Sequence, residues 1–190
     1  MLTQLSIVKA RLAITGTADD AMLNRMIDAI SARFERFCNR SFGRQVDTCE
    51  EFGADAVEIV TGSYPIETVS RFEIKDNEAT GWQEIASPPD YWVRRACVIS
   101  LSLRLGTCRQ WARVIYTGGY VLPGDEIKQG QTPLPEDIQE ACVEQLACWY
   151  LNRTKLGLLS VTDGSLTTAY AQQELLPSVQ STLRRHVRFQ

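Results

Sequence analysis

Six cysteines and one histidine are the residues of this 190-residue chain best suited to redox, metal or nucleophilic chemistry. Their spacing argues against all three. Cys38, Cys49, Cys97, Cys108, Cys142 and Cys148 form no C-x-x-C pair, and the nearest two are six apart on an expected helix. They read as buried or half-buried free thiols. His186 has no second histidine to share a metal or serve a nucleophile. The adjacent acids Glu50-Glu51 and Asp125-Glu126 have the types needed for acid–base work, but nothing near them in sequence supplies a partner. Thr117-Gly118-Gly119-Tyr120 is glycine-rich, yet it follows a strand and precedes a loop, so it reads as a turn and not as a phosphate cradle. No Walker loop, G-x-G-x-x-G, G-x-S-x-G or H-E-x-x-H occurs. Trp82, Trp92, Trp111 and Trp149 sit in strand patterns and one apolar helix, which favours core packing or subunit contact over base stacking. The expectation is a protein that is not an enzyme, with no cofactor and no metal, working through its surfaces.

Composition sets the frame for those surfaces. The chain is 44% hydrophobic and 23% charged, large enough for a core without metals or disulfides. No apolar run approaches the roughly 20 residues that cross a bilayer, and the first eleven residues lack a basic start followed by an apolar block. No membrane association is expected, and the chain should stay in the cytoplasm where it is made. The net charge of −3 is uneven: residues 46–134 carry thirteen acids against eight bases. General nucleic-acid affinity needs clustered Lys and Arg, so this is no general nucleic-acid binder.

The spacing predicts an α+β fold: a small helical bundle with an inserted antiparallel β unit. Thr3 is placed to cap a first helix over 3–13, which ends near Thr15-Gly16. A second helix is expected over 20–39. Its Leu23, Met26, Ile27, Ile30, Phe34 and Phe37 fall within an arc of about 100°. Beside them Arg25, Arg33, Arg36 and Arg40 form a basic strip about 80° wide. From 42 to 119 the period becomes alternating, with strand runs at 57–60, 68–74, 91–93 and 111–117. Residues 121–134 read as an exposed loop. Pro135-Glu136-Asp137 opens a third helix over 135–152, apolar except along Glu136, Asp137, Glu140 and Glu144. These features make 1–154 one domain. Residues 155–190 read as an extended arm with a short helix from Pro177, ending in Arg184, Arg185 and Arg188.

Three stretches carry a resemblance. Leu5-Ser6-Ile7-Val8-Lys9-Ala10-Arg11-Leu12 with Asp19-Asp20, Leu23 to Ile30 and Phe37-Cys38-Asn39-Arg40 is similar to the start of phage head-tail connector, or adaptor, proteins of long-tailed phages and gene transfer agents. So is Val114-Ile115-Tyr116-Thr117-Gly118-Gly119-Tyr120 followed by Leu134-Pro135-Glu136-Asp137-Ile138. The closing Leu158-Leu159-Ser160-Val161-Thr162-Asp163-Gly164-Ser165, Leu176-Pro177 and Leu183-Arg184-Arg185 matches as well. The resemblance implies a virion protein at the head-tail interface: a homo-oligomeric ring, twelve-fold as a rule, beneath the portal protein and facing a stopper or tail-completion protein. Such a ring encircles DNA without reading its sequence. It implies further that the C-terminal segment reaches the portal, through Leu175, Leu176, Val179, Leu183, Arg184, Arg185, Arg188 and Phe189.

A closed ring needs two different complementary faces on each subunit. Arg25, Arg33, Arg36 and Arg40 facing Glu136, Glu140 and Glu144 of the next copy are the expected pair. Two alternatives compete. A tail terminator or stopper would be richer in β structure. A small nucleic-acid-binding module using Arg184, Arg185, His186 and Arg188 would show salt-dependent DNA affinity.

Overall fold

In the computed structural model the described residues are 1–155, 160–163, 166–169 and 174–188, with backbone only for 155, 160–163 and 166–169. The fold is α+β, and the chain divides into two compact units, Met1–Cys38 with Pro135–Val187, and Asn39–Leu134 joined by Arg188.

The helical unit is built from α1 (Leu5–Leu12), α2 (Asp20–Cys38), α3 (Glu136–Leu151) and α4 (Pro177–Leu183). Helix α2 buries Leu23, Ile27, Ile30, Phe34 and Cys38, a stripe three and four apart that follows from the 3.6-residue period. Met26 and Phe37, expected on that stripe, lie at its margins and are half-buried. Helix α1 packs on α2 and α3, and α3 packs on α4. Two end signals differ from expectation. Thr3 is buried and caps nothing; the residue before α1 is Gln4, which makes no side-chain cap. The helix stops at Ala13, which has a left-handed φ of 54°; its N–H donates to the Ala10 carbonyl and the Ile14 N–H to that of Lys9, before Gly16 is reached.

Helix α3 is apolar on most of its circumference, and one polar side chain lies inside it. Gln145 is 1% exposed and accepts the Leu176 N–H at 2.8 Å, which seats the segment leading into α4. From there Leu175, Val179 and Leu183 enter the core, and the Cys38 thiol donates to the Leu183 carbonyl at 3.5 Å. The sequence placed these residues in a separate arm; the fold places them among the residues that hold the helices together. Of the stretch expected as an extended arm, β8 (Ser160–Asp163) and β9 (Leu166–Ala169) pair antiparallel, and residues 156–159, 164–165 and 170–173 lie outside the described residues.

The β unit holds two sheets. Strands β1 (Gln45–Gly53), β7 (Trp111–Gly118), β3 (Ile66–Lys75) and β4 (Trp82–Glu84) run in the order β1-β7-β3-β4. Strands β2 (Glu58–Val60), β6 (Val98–Leu101) and β5 (Tyr91–Arg94) form the second sheet in the order β2-β6-β5. Phe72, Val114 and Tyr116 of the first sheet meet Ile59, Ile99 and Leu101 of the second in one core. Tyr91 closes it, its ring edge-on to Phe72 at 5.7 Å.

The paired glycines have a steric reason. A Cβ on Gly118 would lie 2.5 Å from the Ser63 carbonyl oxygen, and one on Gly119 2.5 Å from that of Gly43. Gly119 also has φ 108°, a region that excludes most side chains. The Thr117-Gly118-Gly119 segment is therefore a backbone crossing. Residues 121 and 134 close the following loop through paired backbone contacts, and both are buried; most of the residues between them are exposed.

Phe72→Ala should remove about 3–5 kcal/mol of stability, as for other buried aromatics. Urea unfolding of the variant checks this; a loss under about 1 kcal/mol would mean that the two sheets do not share this core.

Candidate functional site

The basic strip is shorter than the sequence implied. Arg25 and Arg36 are exposed on α2. Arg33 is half-buried; its guanidinium lies over the Trp149 ring at 4.7 Å and reaches Glu174 at 3.4 Å. Arg40 does not belong to the strip. Helix α2 ends at Cys38, and Asn39 takes a left-handed φ of 50°, so helical spacing cannot be carried on to residue 40. Arg40 is 5% exposed in the β unit. Its guanidinium stacks on Tyr64 at 3.2 Å and lies near Phe42 at 4.9 Å and Tyr120 at 5.2 Å. Nη2 donates to the Tyr64 carbonyl and Nε to that of Ser41 at 3.4 Å, while Nη1 has no partner. An asparagine immediately before the arginine was the available signal, since asparagine tolerates the left-handed region better than most residues.

The acids of α3 are already engaged to different degrees. Glu136 is exposed with no partner among the described residues. Glu140 pairs with Arg11 at 3.1 Å, and Glu144 accepts the Ser178 hydroxyl at 2.7 Å. Asp137 meets His186 at 3.1 Å. Within one chain the α2 arginines and the α3 acids make no ion pair with each other among the described residues.

The C-terminal set divides likewise. Leu175, Val179 and Leu183 are at most 4% exposed, so they are not a contact surface in this conformation. Leu176 is half-buried, and Arg188 is held by Glu50 at 2.5 Å and by the Val60 carbonyl. Arg184 and Arg185 stay exposed. Phe189 lies outside the described residues.

Other readings change with the geometry. Trp92 and Trp111 are each 58% exposed, so neither is a core residue; Trp92 stands with Tyr91 and Val93 on the edge strand β5. Cys49 and Cys108 are exposed, against the expectation of buried thiols, because Cys49 lies on the edge strand β1 and Cys108 in the turn before β7. Cys142 is the opposite case, its thiol pushed up to about 12 by burial. Glu50 is committed to Arg188 and the Gly62 N–H, and so is no free catalytic acid. Among the described residues no group of His, Cys, Asp and Glu could hold a metal ion, and no helix is long and apolar enough to cross a membrane.

The strongest ionic grouping is structural. Glu73, 7% exposed, receives Arg71 at 2.7 Å and Arg113 at 2.6 Å, and Arg113 also stacks on Trp82 at 4.4 Å. Burial alone would raise the Glu73 pKa, but the two arginine hydrogen bonds outweigh it and hold the carboxyl below its ordinary value. What the described surface offers is charge and apolar patches on rigid elements, which suits contact with other proteins.

Solved structures share this architecture. The chain is similar to a component of the neck of an empty gene transfer agent particle, computed with C6 symmetry. That match has a TM-score of 0.59 and 16% identity, covering 97% of this chain and 89% of the other. A chain from the neck of the native particle, computed with C12 symmetry, matches with TM-score 0.53 and 16% identity over 90% and 84%. One from the virion of the native gene transfer agent matches with 0.52 and 17% over 94% and 82%. At these identities the likeness defines the fold, that of a neck component. No curated protein sequence matches the chain. The model of the head completion protein family matches residues 1–189, and the chain belongs to that family, whose members are structural virion proteins and not enzymes.

Two outcomes follow from the buried charges. Arg40→Lys keeps the cation but loses the planar stack and the forked donors, and should cost about 2 kcal/mol or more in urea unfolding; unchanged stability would refute the role given to the stack. Because the Glu73 pKa is depressed on folding, its stabilisation is present above the ordinary value of 4.5 and is lost as pH falls through the folded value. Glu73→Gln should therefore flatten the acid limb of the stability profile, and a limb as steep as the parent's would contradict this.

Proposed function

We propose that this protein is a head-tail connector subunit whose copies close into a ring, twelve-fold, beneath the portal of a tailed phage or gene transfer particle. The ring joins the DNA-filled head to a stopper or tail-completion protein. The family match across nearly the whole chain is the observation that carries the reading. Support comes from the fold shared with neck components whose particles were computed with C6 and C12 symmetry.

Physical chemistry adds to it. A cyclic ring is made by head-to-tail contacts, so each subunit must carry two unlike faces. The helical unit has them: exposed Arg25 and Arg36 on α2, exposed Glu136 and Glu140 on α3. In this reading the small bundle of two N-terminal helices, the long third and the short last is the ring-forming part. Arg33 and Glu144 assist by holding that surface in place, since each already has a partner in its own chain. The exposed Arg184 and Arg185 are the residues of the C-terminal segment left to meet the portal. The acidic balance of residues 46–134 keeps the ring from gripping the DNA that passes through it, because tight phosphate contacts would oppose ejection. The subunit is made in the host cytoplasm and ends at the head-tail interface of the particle.

Reversing charge with Arg25→Glu and Arg36→Glu together should reduce ring formation with purified portal at least about tenfold, the effect of roughly 1.4 kcal/mol per contact. Negative-stain micrographs count the rings, and thermal melting confirms the fold. A normal yield of rings from a folded double variant would defeat the reading of this face.

A further inference from the structure

The exposed side of α2 is not simply a solvated charged face. Ala21, Met22, Arg25, Met26, Ala29 and Trp149 line an open groove of about 430 Å³. Ala21, Arg25 and Ala29 are spaced four apart, so they share one line along the helix, and Met22 and Met26 form the next line. Small side chains allow close approach, and the methionines supply an adaptable apolar floor. Trp149 closes the far side, held in place by Arg33 over its ring at 4.7 Å.

The same unit carries a surface of complementary character. Ile7 is 36% exposed on α1, on the same helical line as Arg11, four residues on. The Arg11–Glu140 pair at 3.1 Å fixes that line of α1 beside the acidic start of α3, where Glu136 sits four residues before Glu140. Ile7 thus lies one helical turn before the arginine that pairs with Glu140, and Glu136 is exposed with no partner among the described residues. Glu136 and Trp149 lie thirteen residues apart on α3, about 20 Å along its axis at 1.5 Å per residue. One rigid helix therefore carries the acidic knob at its first turn and a wall of the groove near its last.

We propose that the groove takes a second copy of this chain: Ile7 of one subunit enters the methionine-lined groove of the next, and Glu136 and Glu140 meet Arg25. This inference rests on the ring reading and specifies its contact. Because Ile7 with its neighbouring carboxylates and the methionine groove are different patches, the contact is head-to-tail and leaves one patch of each kind free until the ring closes. Charge complementarity fixes the direction, since an acidic knob is repelled by another acidic knob.

The test joins Ile7→Cys and Ala21→Cys in one full-length chain in which Cys49→Ser and Cys108→Ser remove the exposed native thiols. Particles made with this chain are treated with a short bis-maleimide and resolved on denaturing gels, beside micrographs of their necks. The expected result is a ladder of covalent oligomers that takes up most of the chain, absent from either single-cysteine variant. Necks with intact rings but no ladder, or a product that stops at dimer, overturn the groove contact and leave the ring reading standing. Particles whose necks hold no ring of this chain overturn both.

Discussion

The β unit depends on Arg40, a cation that has left water without an ionic partner among the described residues. Moving a guanidinium out of solvent costs several kcal/mol after relaxation, and a carboxylate is the usual compensation. Arg40 has instead a Tyr64 ring at 3.2 Å, two further aromatic rings, and the carbonyl oxygens of Ser41 and Tyr64. Those groups come from three stretches, around residues 40–42, 64 and 120, and the charge is tolerable only while all three are together. The same stretches meet again at the glycine crossing, where Gly118 passes the Ser63 carbonyl and Gly119 that of Gly43. Ser63 also donates its N–H to the Tyr116 hydroxyl at 3.0 Å, which links the crossing to the core between the sheets. Loss of any one stretch would strand the guanidinium, so this corner should form cooperatively.

How far the sequence revealed this differs from element to element. The stripe of α2 was readable because nineteen residues of one period leave little room for another assignment. The runs that became β2, β3, β5 and β7 were readable from alternation. Strand β1 was not: its exposure alternates from Asp47 to Phe52, but on a sheet edge the half-buried positions include Thr48 and Glu50, so its hydropathy carries no two-residue period. The glycine pair was noticed but assigned to a turn, because a close approach of two backbone segments distant in sequence has no local signature.

The candidate surfaces were legible only in part, and the misplacements share a cause. Sequence periodicity ranks residues by face but does not say which faces are covered by parts of the chain far away. Leu175, Val179 and Leu183 looked like free apolar contacts beside a weakly patterned stretch, yet a single buried glutamine, Gln145, anchors that segment to α3. Arg40 looked like the last member of a basic strip until one left-handed residue took it off the helix. Conversely, Trp92 and Trp111 have the size of core residues but are each more than half exposed among the described residues.

These displacements bear on how a connector of this kind could assemble. A surface made only of exposed Arg and Glu contributes little affinity, since solvated ion pairs are worth about 0–1 kcal/mol each, though it orients an encounter. Affinity has to come from apolar area removed from water at the contact. The helical unit has such area beside its free charges, in the Met22, Met26 and Trp149 groove, where Arg33 over the Trp149 ring rigidifies the wall, and Arg11 holds Glu140 on the other patch. Because these walls are held by intrachain contacts, the two faces exist before any neighbour arrives, and association need not spend free energy ordering them. In the ring proposed above, a subunit built this way would remain monomeric while its copies are few and would join its neighbours without any change in its own fold.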